Sequence, residues 1–356
     1  MRPLCRWQSC LKVMVVGFLS VFVLSACGGS TPSGSPDPGG SGSGPSTGDG
    51  DGPTNVVVGG PGRIAYLRQS SQTGSFHLHV VNPDGSNAVN PIPIDDLADY
   101  SGHSWSPDGS QIAFASNRSG NANFNIYVMN ADGTNIRSVV EDSGGDFVSA
   151  WSPDGQKMLF QAQRSNETLW DIYVVNIDGS GEQVLVNTPL IEELASWSPD
   201  GAKVVYQARA QGGTGSDIYV VNADGTGVTR LTDGNGSLHS GPAWSPDGTQ
   251  IAFESNRHQP PATDGAPARA QYEIYLMNSD GSNIRQLTFS NPFSEATRFP
   301  TWSPDGKQLA FEFHNFDSNA IGAASIIVVL NVDGSNVYSI PNVPIGSIFP
   351  RWSPIP

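Results

Sequence analysis

The chain has 356 residues, of which 41 are Gly and 27 are Pro, and only 14% of its residues are charged. This composition favours an all-β fold with many turns and disfavours long charged helices. The formal net charge of −15 repels phosphate backbones, so we expect no nucleic acid among the partners.

The N-terminus has the pattern of an export signal. Residues 1–12 carry three cations and no acid, and an apolar run of twelve residues follows from Val13 to Leu24. A bilayer-spanning helix needs about 20 apolar residues, whereas a run of this size is typical of a signal-peptide core. The sequence therefore predicts a signal peptide over residues 1–26.

This segment ends in Leu24-Ser25-Ala26-Cys27, which resembles the lipobox of bacterial lipoproteins. The resemblance implies that the Cys27 thiol is lipidated and anchors the mature chain to a membrane. Gly28, in place of Asp, implies the outer membrane, with the protein facing the periplasm or the cell surface. Because Cys5 and Cys10 lie in the removed segment, we expect no disulfide.

Residues 27–55 follow as a tether. Beyond Cys27 they are almost wholly Gly, Ser, Pro, Thr and Asp, a composition that cannot bury a core. We therefore expect a flexible link between the lipid and a folded domain over residues 56–356.

The folded domain is a tandem repeat with three markers. The tripeptide Trp-Ser-Pro recurs at intervals of 46 to 58 residues, and both Asn-x-Asp-Gly and an apolar run such as Ile112-Ala-Phe recur with it. Periods near 50 residues are typical of propellers and solenoids. The Trp residues of the first marker are Trp105, Trp151, Trp197, Trp244, Trp302 and Trp352.

The turn residues divide each repeat into four strands, A to D. Ser-Pro-Asp-Gly places Pro and Gly where a tight turn needs them, and Asn-x-Asp-Gly does the same further on. The apolar runs of strands B and C indicate a sheet that is covered on both faces, as in stacked blades. We expect the recurring Trp to fill the space between neighbouring blades.

The two ends of the domain complement each other. The first repeat starts at Gly62-Arg-Ile-Ala-Tyr, a strand B, and the chain stops soon after the spare strand A at Trp352. We therefore predict a six-bladed β-propeller with four-stranded blades, closed by pairing the C-terminal strand with the N-terminal blade. We also expect a monomer.

The repeated WSPDGxxIAF…IYVMNADG pattern resembles the PD40, or TolB-type WD40-like, repeat. The resemblance covers about residues 62–356 and implies a periplasmic six-bladed propeller that binds protein partners. TolB proteins carry an α/β domain before the propeller, and this chain has the Gly/Ser tether in that place. The specific role of TolB in the Tol system therefore does not transfer with the fold.

A possible binding rim lies at the D–A connections, which lead into the innermost strands. Variable loops on a rigid scaffold are common binding sites. A mostly acidic rim suits a basic peptide segment, or Ca²⁺ in the channel, but it also suits a solvated loop face; no other cofactor is expected. The rim residues are Asp99, Tyr100, Asp146, Glu192, Glu193, His239 and Arg298.

Two classes of function are compatible with this pattern. A propeller enzyme or glycan-binding protein acting on polysaccharide would use clustered His with a metal, and only His103 and His239 lie near strand-A entries. A binding scaffold needs only the propeller, the loops, the lipid and the tether. We predict a non-enzymatic cell-envelope lipoprotein that binds a protein or peptide, with no catalytic residue and no metal ligand assigned.

Overall fold

The computed structural model describes most of the repeat region. The described residues are 62–70, 74–92, 98–120, 123–142, 144–164, 168–234, 236–258, 271–289, 295–315 and 324–354. The signal peptide, Cys27, the tether and the first residues of the predicted domain lie outside these ranges. The ranges contain no helix whose length and hydropathy would let it traverse a bilayer.

The described chain is built of β-strands, which follow one another in blade order. The first blade begins with β1 (Ile64–Gln69) and β2 (Phe76–Val81). The second and third blades are β3 (Tyr100–Trp105), β4 (Gln111–Ser116), β5 (Asn125–Asn130), β6 (Arg137–Val140), β7 (Asp146–Trp151), β8 (Lys157–Ala162), β9 (Asp171–Asn176) and β10 (Gln183–Val186). The fourth is β11 (Ile191–Trp197), β12 (Lys203–Arg209), β13 (Asp217–Asn222) and β14 (Thr229–Arg230). The fifth blade is β15 (His239–Trp244), β16 (Gln250–Ser255), β17 (Glu273–Asn278) and β18 (Arg285–Gln286). The sixth is β19 (Glu295–Trp302), β20 (Gln308–Asn315), β21 (Ala324–Asn331) and β22 (Tyr338–Ser339), and the last strand is β23 (Ser347–Trp352).

The strands form six antiparallel sheets, which confirms the prediction of an all-β, six-bladed propeller. Five sheets have four strands in chain order, and the first has the order β2-β1-β23. In that first sheet β23 pairs with β1, so that Ile64 lies opposite Trp352 and Arg68 opposite Ser347. An isolated bridge between Val80 and Val89 stands where the other blades have a fourth strand.

The apolar core is divided among the six contacts between neighbouring blades. Six clusters of buried side chains join blades 1–2, 2–3, 3–4, 4–5, 5–6 and 6–1 in turn. The last of these packs Ile64 and Tyr66 of the first blade against Ala310 and Ile327 of the sixth. Burial of each aliphatic or aromatic side chain contributes about 1.5–3 kcal/mol, so every blade is stabilised mainly by its two neighbours.

The Ser-Pro-Asp-Gly turns connect the innermost strands to the second strands. In the second blade, Gly109 has a φ of 67° and its N–H donates to Ser106 O at 2.9 Å. The Asp108 carboxylate accepts hydrogen bonds from Ser106 Oγ at 2.6 Å and from Ser110 N–H at 3.0 Å. The Asp at this position therefore closes the turn through local hydrogen bonds.

The recurring Trp side chains lie between blades. Trp105 Nε1 donates to Arg351 O at 3.2 Å, and Trp302 Nε1 donates to Ala243 O at 3.0 Å. In both cases the acceptor is on the innermost strand of the preceding blade, next to that blade's own Trp. These two indoles therefore link adjacent innermost strands by hydrogen bonds near the centre of the ring.

We predict that the Asn-x-Asp-Gly turns stabilise the ring by packing on the preceding blade. Gly133 has a φ of 85°, and a Cβ there would lie 1.7 Å from Pro91 O. Gly334 has a φ of 87° but a Cβ there would meet nothing within 4 Å. Both Ala substitutions carry the left-handed strain of about 1–2 kcal/mol, and Gly133→Ala adds a backbone clash of about 1–3 kcal/mol.

Thermal unfolding of the two variants measures the difference. Gly133→Ala should melt several degrees below Gly334→Ala, since each 1 kcal/mol shifts the midpoint of a domain this large by about 2–4 °C. Equal midpoints would contradict the packing role of Gly133.

Candidate functional site

Each innermost strand is bent by a β-bulge. The pairing of every innermost strand with its second strand shifts register once, which happens in all six blades. In five blades the residue three positions before the Trp has a positive φ, a conformation that costs an L-residue about 1 kcal/mol or more. These residues are Gly102, Leu194, Gly241, Phe299 and Phe349.

A side chain from the preceding blade holds three of these bulges. Glu254 Oε2 accepts a hydrogen bond from Phe299 N–H at 2.8 Å, and Gln161 Oε1 accepts one from Leu194 N–H at 2.9 Å. Glu312 Oε1 accepts the equivalent bond from the N–H of the third bulge residue, in β23. All three acceptors occupy the same position on the second strand of their blade, directly after the Phe that ends the repeated apolar run. The contact therefore satisfies a strained N–H and links two blades.

The bulges form the floor of a cup at the centre of the ring. The cup has a volume of about 480 Å³ and is lined by innermost strands from all six blades. Val148, Leu194 and Phe299 line its inner end, and no residue that precedes the bulges in these strands lines it. The mouth is formed by Pro153, Pro246 and Pro304 of the Ser-Pro-Asp-Gly turns and by Pro354, next to Trp151, Trp197, Trp244, Trp302 and Trp352.

One pair of aromatic rings joins the bulges of the sixth and first blades. Phe299 and Phe349, both bulge residues, lie with ring centroids 4.4 Å apart. The Arg298 guanidinium lies 4.6 Å from the Phe299 ring centroid and 4.8 Å from that of Tyr272. Arg298 also forms an ion pair with Glu254 at 3.1 Å. The bulges of the sixth and first blades therefore contact each other through apolar rings, and the ion pair between Arg298 and Glu254 lies beside one of these rings.

The wall of the cup carries one charge. The residue before each Trp faces the cup, and it is small or hydroxylated in every blade except the first, where it is Arg351. Arg351 is half-buried, and its Nη1 donates to Pro350 O at 3.3 Å. Burial lowers its pKa, and Glu312 offsets part of this effect. The other wall residues at this position are Ser104, Ala150, Ser196, Ala243 and Thr301.

The seven residues of the predicted rim lie at the opposite end of the innermost strands, on the far side of the bulges. Five of them are buried and two, Asp99 and Arg298, are half-buried. The backbone explains this burial, because the first residues of these strands bond to the preceding blade: Asp146 N–H to Phe124 O at 2.9 Å and Glu192 N–H to Trp170 O at 2.8 Å. A ligand-binding role for the rim stays a prediction.

Three acids of the rim have internal partners. Asp146 forms an ion pair with Arg164 at 2.5 Å, yet burial raises its pKa to about 6. Glu193 accepts a hydrogen bond from Gln207 Nε2 at 3.0 Å, and burial raises its pKa as well. The Asp99 carboxylate accepts a hydrogen bond from the backbone N–H of Phe76 at 3.1 Å.

Glu192 is the most perturbed acid of the rim. Burial raises its pKa to about 8, the neighbouring Asp171 raises it further, and the hydrogen bond from Thr188 acts in the opposite direction. The carboxyl is fully buried at the contact between the third and fourth blades. The folded protein therefore holds a proton on this pair at neutral pH.

The aromatic and imidazole members of the rim are packed in the core. The Tyr100 ring lies 5.7 Å from His77 and 5.5 Å from Phe114. His239 packs edge-on to Phe253, and burial lowers its pKa to about 4. The described ranges contain no group of three His, Cys, Asp or Glu side chains that could hold a metal ion, and Ca²⁺ binding stays a prediction.

The repeat corresponds to a known family. A family model described as the PD40, or TolB beta propeller, domain matches residues 63–212 and 168–263, which together span more than half of the chain. The chain belongs to this family. Within the TolB-type propeller, the two matches contain β1 and β2 of the first blade, all of the second, third and fourth blades, and β15 and β16 of the fifth.

Solved TolB structures share the fold. TolB from Acinetobacter baumannii gives a TM-score of 0.64 at 21% identity, covering 82% of this chain and 67% of that protein. A putative TolB from Agrobacterium tumefaciens gives a TM-score of 0.57 at 21% identity, covering 83% of this chain and 99% of that protein. Similarity at this level of identity establishes the propeller and leaves the activity open.

A curated relative matches part of the propeller. An uncharacterized protein of Agrobacterium fabrum is 30% identical over 131 residues, which cover 35% of this chain and 40% of the relative. The matched region thus spans less than half the length of that relative.

The cup was missed in the sequence because its residues lie within strands, where packing is the usual role. One signal was available: alignment of the repeats on the Trp gives a column of Ser104, Ala150, Ser196, Ala243, Thr301 and Arg351. Arg351 is the one charged residue in this column, and the column belongs to the strand nearest the ring axis.

We predict that Glu254 stabilises the bulge through its oxygen and the hub through its charge. Glu254→Ala leaves Arg298 without its ion-pair partner and Phe299 N–H without its acceptor, which should cost about 3 kcal/mol or more. Glu254→Gln keeps an acceptor for Phe299, as Gln161 does for Leu194, and should cost less. Urea unfolding of both variants checks this order, and equal losses would contradict it.

We predict that stability falls as pH rises from 6.5 to about 8. The folded state keeps a proton on Glu192 that the unfolded chain releases near pH 4.5, so in this window the folded state binds more protons. Buried His103 and His239 act below pH 6.5 and Asp146 titrates near 6, so we expect Glu192 to contribute most of the slope in this window, and the raised pKa of Glu193 changes stability in the same direction.

The expected loss over this window is about 1–2 kcal/mol, measured as a fall in melting temperature. Glu192→Gln should flatten the slope, because an amide has no proton to release. A variant that keeps the slope of the original protein would show that another group causes it.

Proposed function

We propose that this chain is a cell-envelope lipoprotein whose TolB-type propeller serves as a non-enzymatic scaffold for binding a protein or peptide. The observation that carries the proposal is the cup at the hub, which draws its wall from all six blades. A site of about 480 Å³ lies within the range of ligand pockets and admits a few amino-acid side chains.

The chemistry of the mouth supports a polypeptide as the occupant. Trp and Pro residues surround the opening, and Trp197, Trp244 and Trp352 are partly exposed there. Large rigid aromatic side chains contribute most of the binding energy in many protein interfaces, because they bury much area at little entropic cost. The cross-blade bonds of Trp302 and of the bulge residues Leu194 and Phe299 order part of this surface before a partner arrives.

The lipid anchor supports the envelope as the place of action. Cys27 and residues 27–55 precede the ring, and the first described residue, Gly62, lies against Trp352 at the mouth, where a Cβ would be 2.9 Å from the indole Nε1. The chain therefore enters the ring beside the cup. The proposed lipid would hold a partner of the cup in the envelope, either at the outer membrane facing the periplasm or at the cell surface.

A photo-crosslinking experiment in cells tests the proposal. Pro246→p-benzoylphenylalanine places a crosslinker at the mouth, and Val184→p-benzoylphenylalanine places one on the exposed outer strand β10 as the control. We expect an adduct with an envelope protein from the mouth position alone, and we expect Ser196→Leu, which fills the cup, to reduce it at least tenfold.

The anchor is tested in the same cells. Cys27→Ala should abolish labelling by a palmitate analogue and reduce the adduct, because the protein then leaves the membrane surface. Adducts of equal yield from both crosslinker positions, or a yield unaffected by Ser196→Leu, would contradict a binding role for the cup.

A further inference from the structure

The cup contains one charged residue in a lining that is otherwise apolar, hydroxylated or aromatic. Among its lining residues there is no Asp, Glu, Asn or Gln, and Arg351 is the single cation. This guanidinium lies in a chain whose net charge is −15, so its sign is the opposite of the protein as a whole.

The charge of Arg351 is only partly compensated by the residues that the structure describes, because Glu312 attracts it without forming an ion pair with it. Its Nη1 bonds to the neighbouring carbonyl of Pro350, and none of the ion pairs formed in the described ranges includes it. His103, which lies near it, is buried and has its pKa lowered to about 3, so it is neutral. Glu312, the acid that attracts it, is engaged with His314 at 2.6 Å and with the bulge of β23.

We propose that the cup receives the C-terminal end of a partner polypeptide, whose terminal carboxylate binds Arg351 and whose last side chain packs on the apolar floor. This inference rests on the proposed function and names the part of the partner that the scaffold recognises.

The shape of the cup favours a chain end over a threaded segment. The cavity stops at Val148, Leu194 and Phe299, and the Phe349 ring lies tilted against the Phe299 ring with the centroids 4.4 Å apart. A polypeptide that passed through the hub would have to displace these rings. A terminus enters from the mouth and stops at the floor, where an aliphatic side chain finds apolar contacts.

The charge count favours a carboxylate. One carboxylate neutralises one guanidinium and can accept two parallel N–H bonds from it. A phosphate carries up to two charges, so it would leave an uncompensated anion in a largely apolar cavity. The Thr301 hydroxyl, beside Arg351 on the next inner strand, already accepts from Trp352 N–H at 3.3 Å, which leaves its own proton to donate to the second oxygen.

The lining favours a peptide over an acidic sugar, which also carries a single carboxylate. Sugar hydroxyls need several carboxylate or amide partners, and the lining has neither. The side chains that do line the cup, which are Ala, Val, Leu, Phe, Pro and Trp, match an apolar residue at the end of a peptide.

Binding of defined peptide pools to the full-length protein in detergent micelles tests the proposal. The first pool contains N-acetylated hexapeptides of random sequence with a free C-terminal carboxylate. The second contains the same sequences as C-terminal amides, and the third contains amides with one internal Asp. Oligogalacturonate serves as the sugar-acid probe, and bound species are identified by mass spectrometry and ranked by affinity.

We expect the free-acid pool to bind, with aliphatic or aromatic residues enriched at the last position, and the amide pool to bind at least tenfold more weakly. Arg351→Gln should weaken the free-acid peptides at least tenfold and leave the amides unchanged, while Arg351→Lys should retain only part of the affinity, because it keeps the charge and loses the two parallel N–H bonds. Arg285→Gln, which removes an exposed Arg from β18, is the matched control and should change nothing.

Ser196→Leu keeps the test independent of how Arg351→Gln folds. Ser196 lies in the fourth blade, opposite Arg351 across the six-bladed ring, and a Leu there fills the cup from the other side. We expect it to abolish binding of the free-acid pool. Equal binding of acids and amides, preference for internal Asp, preference for oligogalacturonate, or affinity independent of Arg351 would each overturn the proposal.

The two proposals fail in different ways. If a mouth crosslink captures a partner in cells but Arg351→Gln leaves that adduct unchanged, the result supports the binding scaffold and contradicts recognition of a C-terminal carboxylate. If free-acid peptides bind through Arg351 while no mouth-specific adduct forms in cells, the chemistry of the cup stands and the cellular role falls.

Discussion

The constraint on which this structure depends is that every blade must be covered on both faces. Strands β4 and β5 are buried along nearly their whole length, as are their counterparts in the third and fifth blades, so both faces of these blades must be covered by protein. A closed ring satisfies this for all six blades at once. Closure requires the first blade to take its innermost strand from β23, which places both ends of the described chain in one sheet. The apolar contact between the sixth and first blades then matches the other five.

Closure also crowds the innermost strands, and the bulges are the local response. A bulge bends the strand and turns its extra residue, so Leu194 and Phe299 point to the axis with left-handed backbones. That strain is offset by hydrogen bonds from the bulge N–H groups to Gln161 and Glu254 of the preceding blades, which also add to the contacts between blades. The floor of the cup is therefore a product of ring closure, and a change at Glu254 alters both stability and the shape of the site.

Sequence patterns predicted the fold because the residues that close its turns are close together in the sequence. A turn such as Ser106 to Ser110 is closed by Asp108 and Gly109 within five residues, and the same chemistry repeats in each blade. The burial of rim residues such as Asp146 and Glu192 could not be predicted in this way. Their backbone partners, Phe124 and Trp170, belong to the preceding blade, about 22 residues earlier in the sequence, and no motif marks the contact. Arg351 was not predicted as a site residue for a related reason, since its charge is unusual only when the six repeats are aligned on the Trp.

The charges around the mouth and the charge inside the cup favour the same class of ligand. The Asp of each Ser-Pro-Asp-Gly turn follows a Pro that lies at or near the mouth, and hydrogen bonds from Ser hydroxyls and turn N–H groups lower the pKa of Asp108, Asp154, Asp200, Asp247 and Asp305. These residues therefore stay anionic around an opening that leads to a single cation. A polyanion is repelled before it reaches Arg351, whereas a segment with neutral or basic residues passes the ring of Asp side chains. One carboxylate at the tip of such a segment meets its counter-charge only after desolvation, where the attraction is strongest. An acidic surface and a buried Arg thus favour the same ligand, a neutral or basic chain that ends in one negative charge.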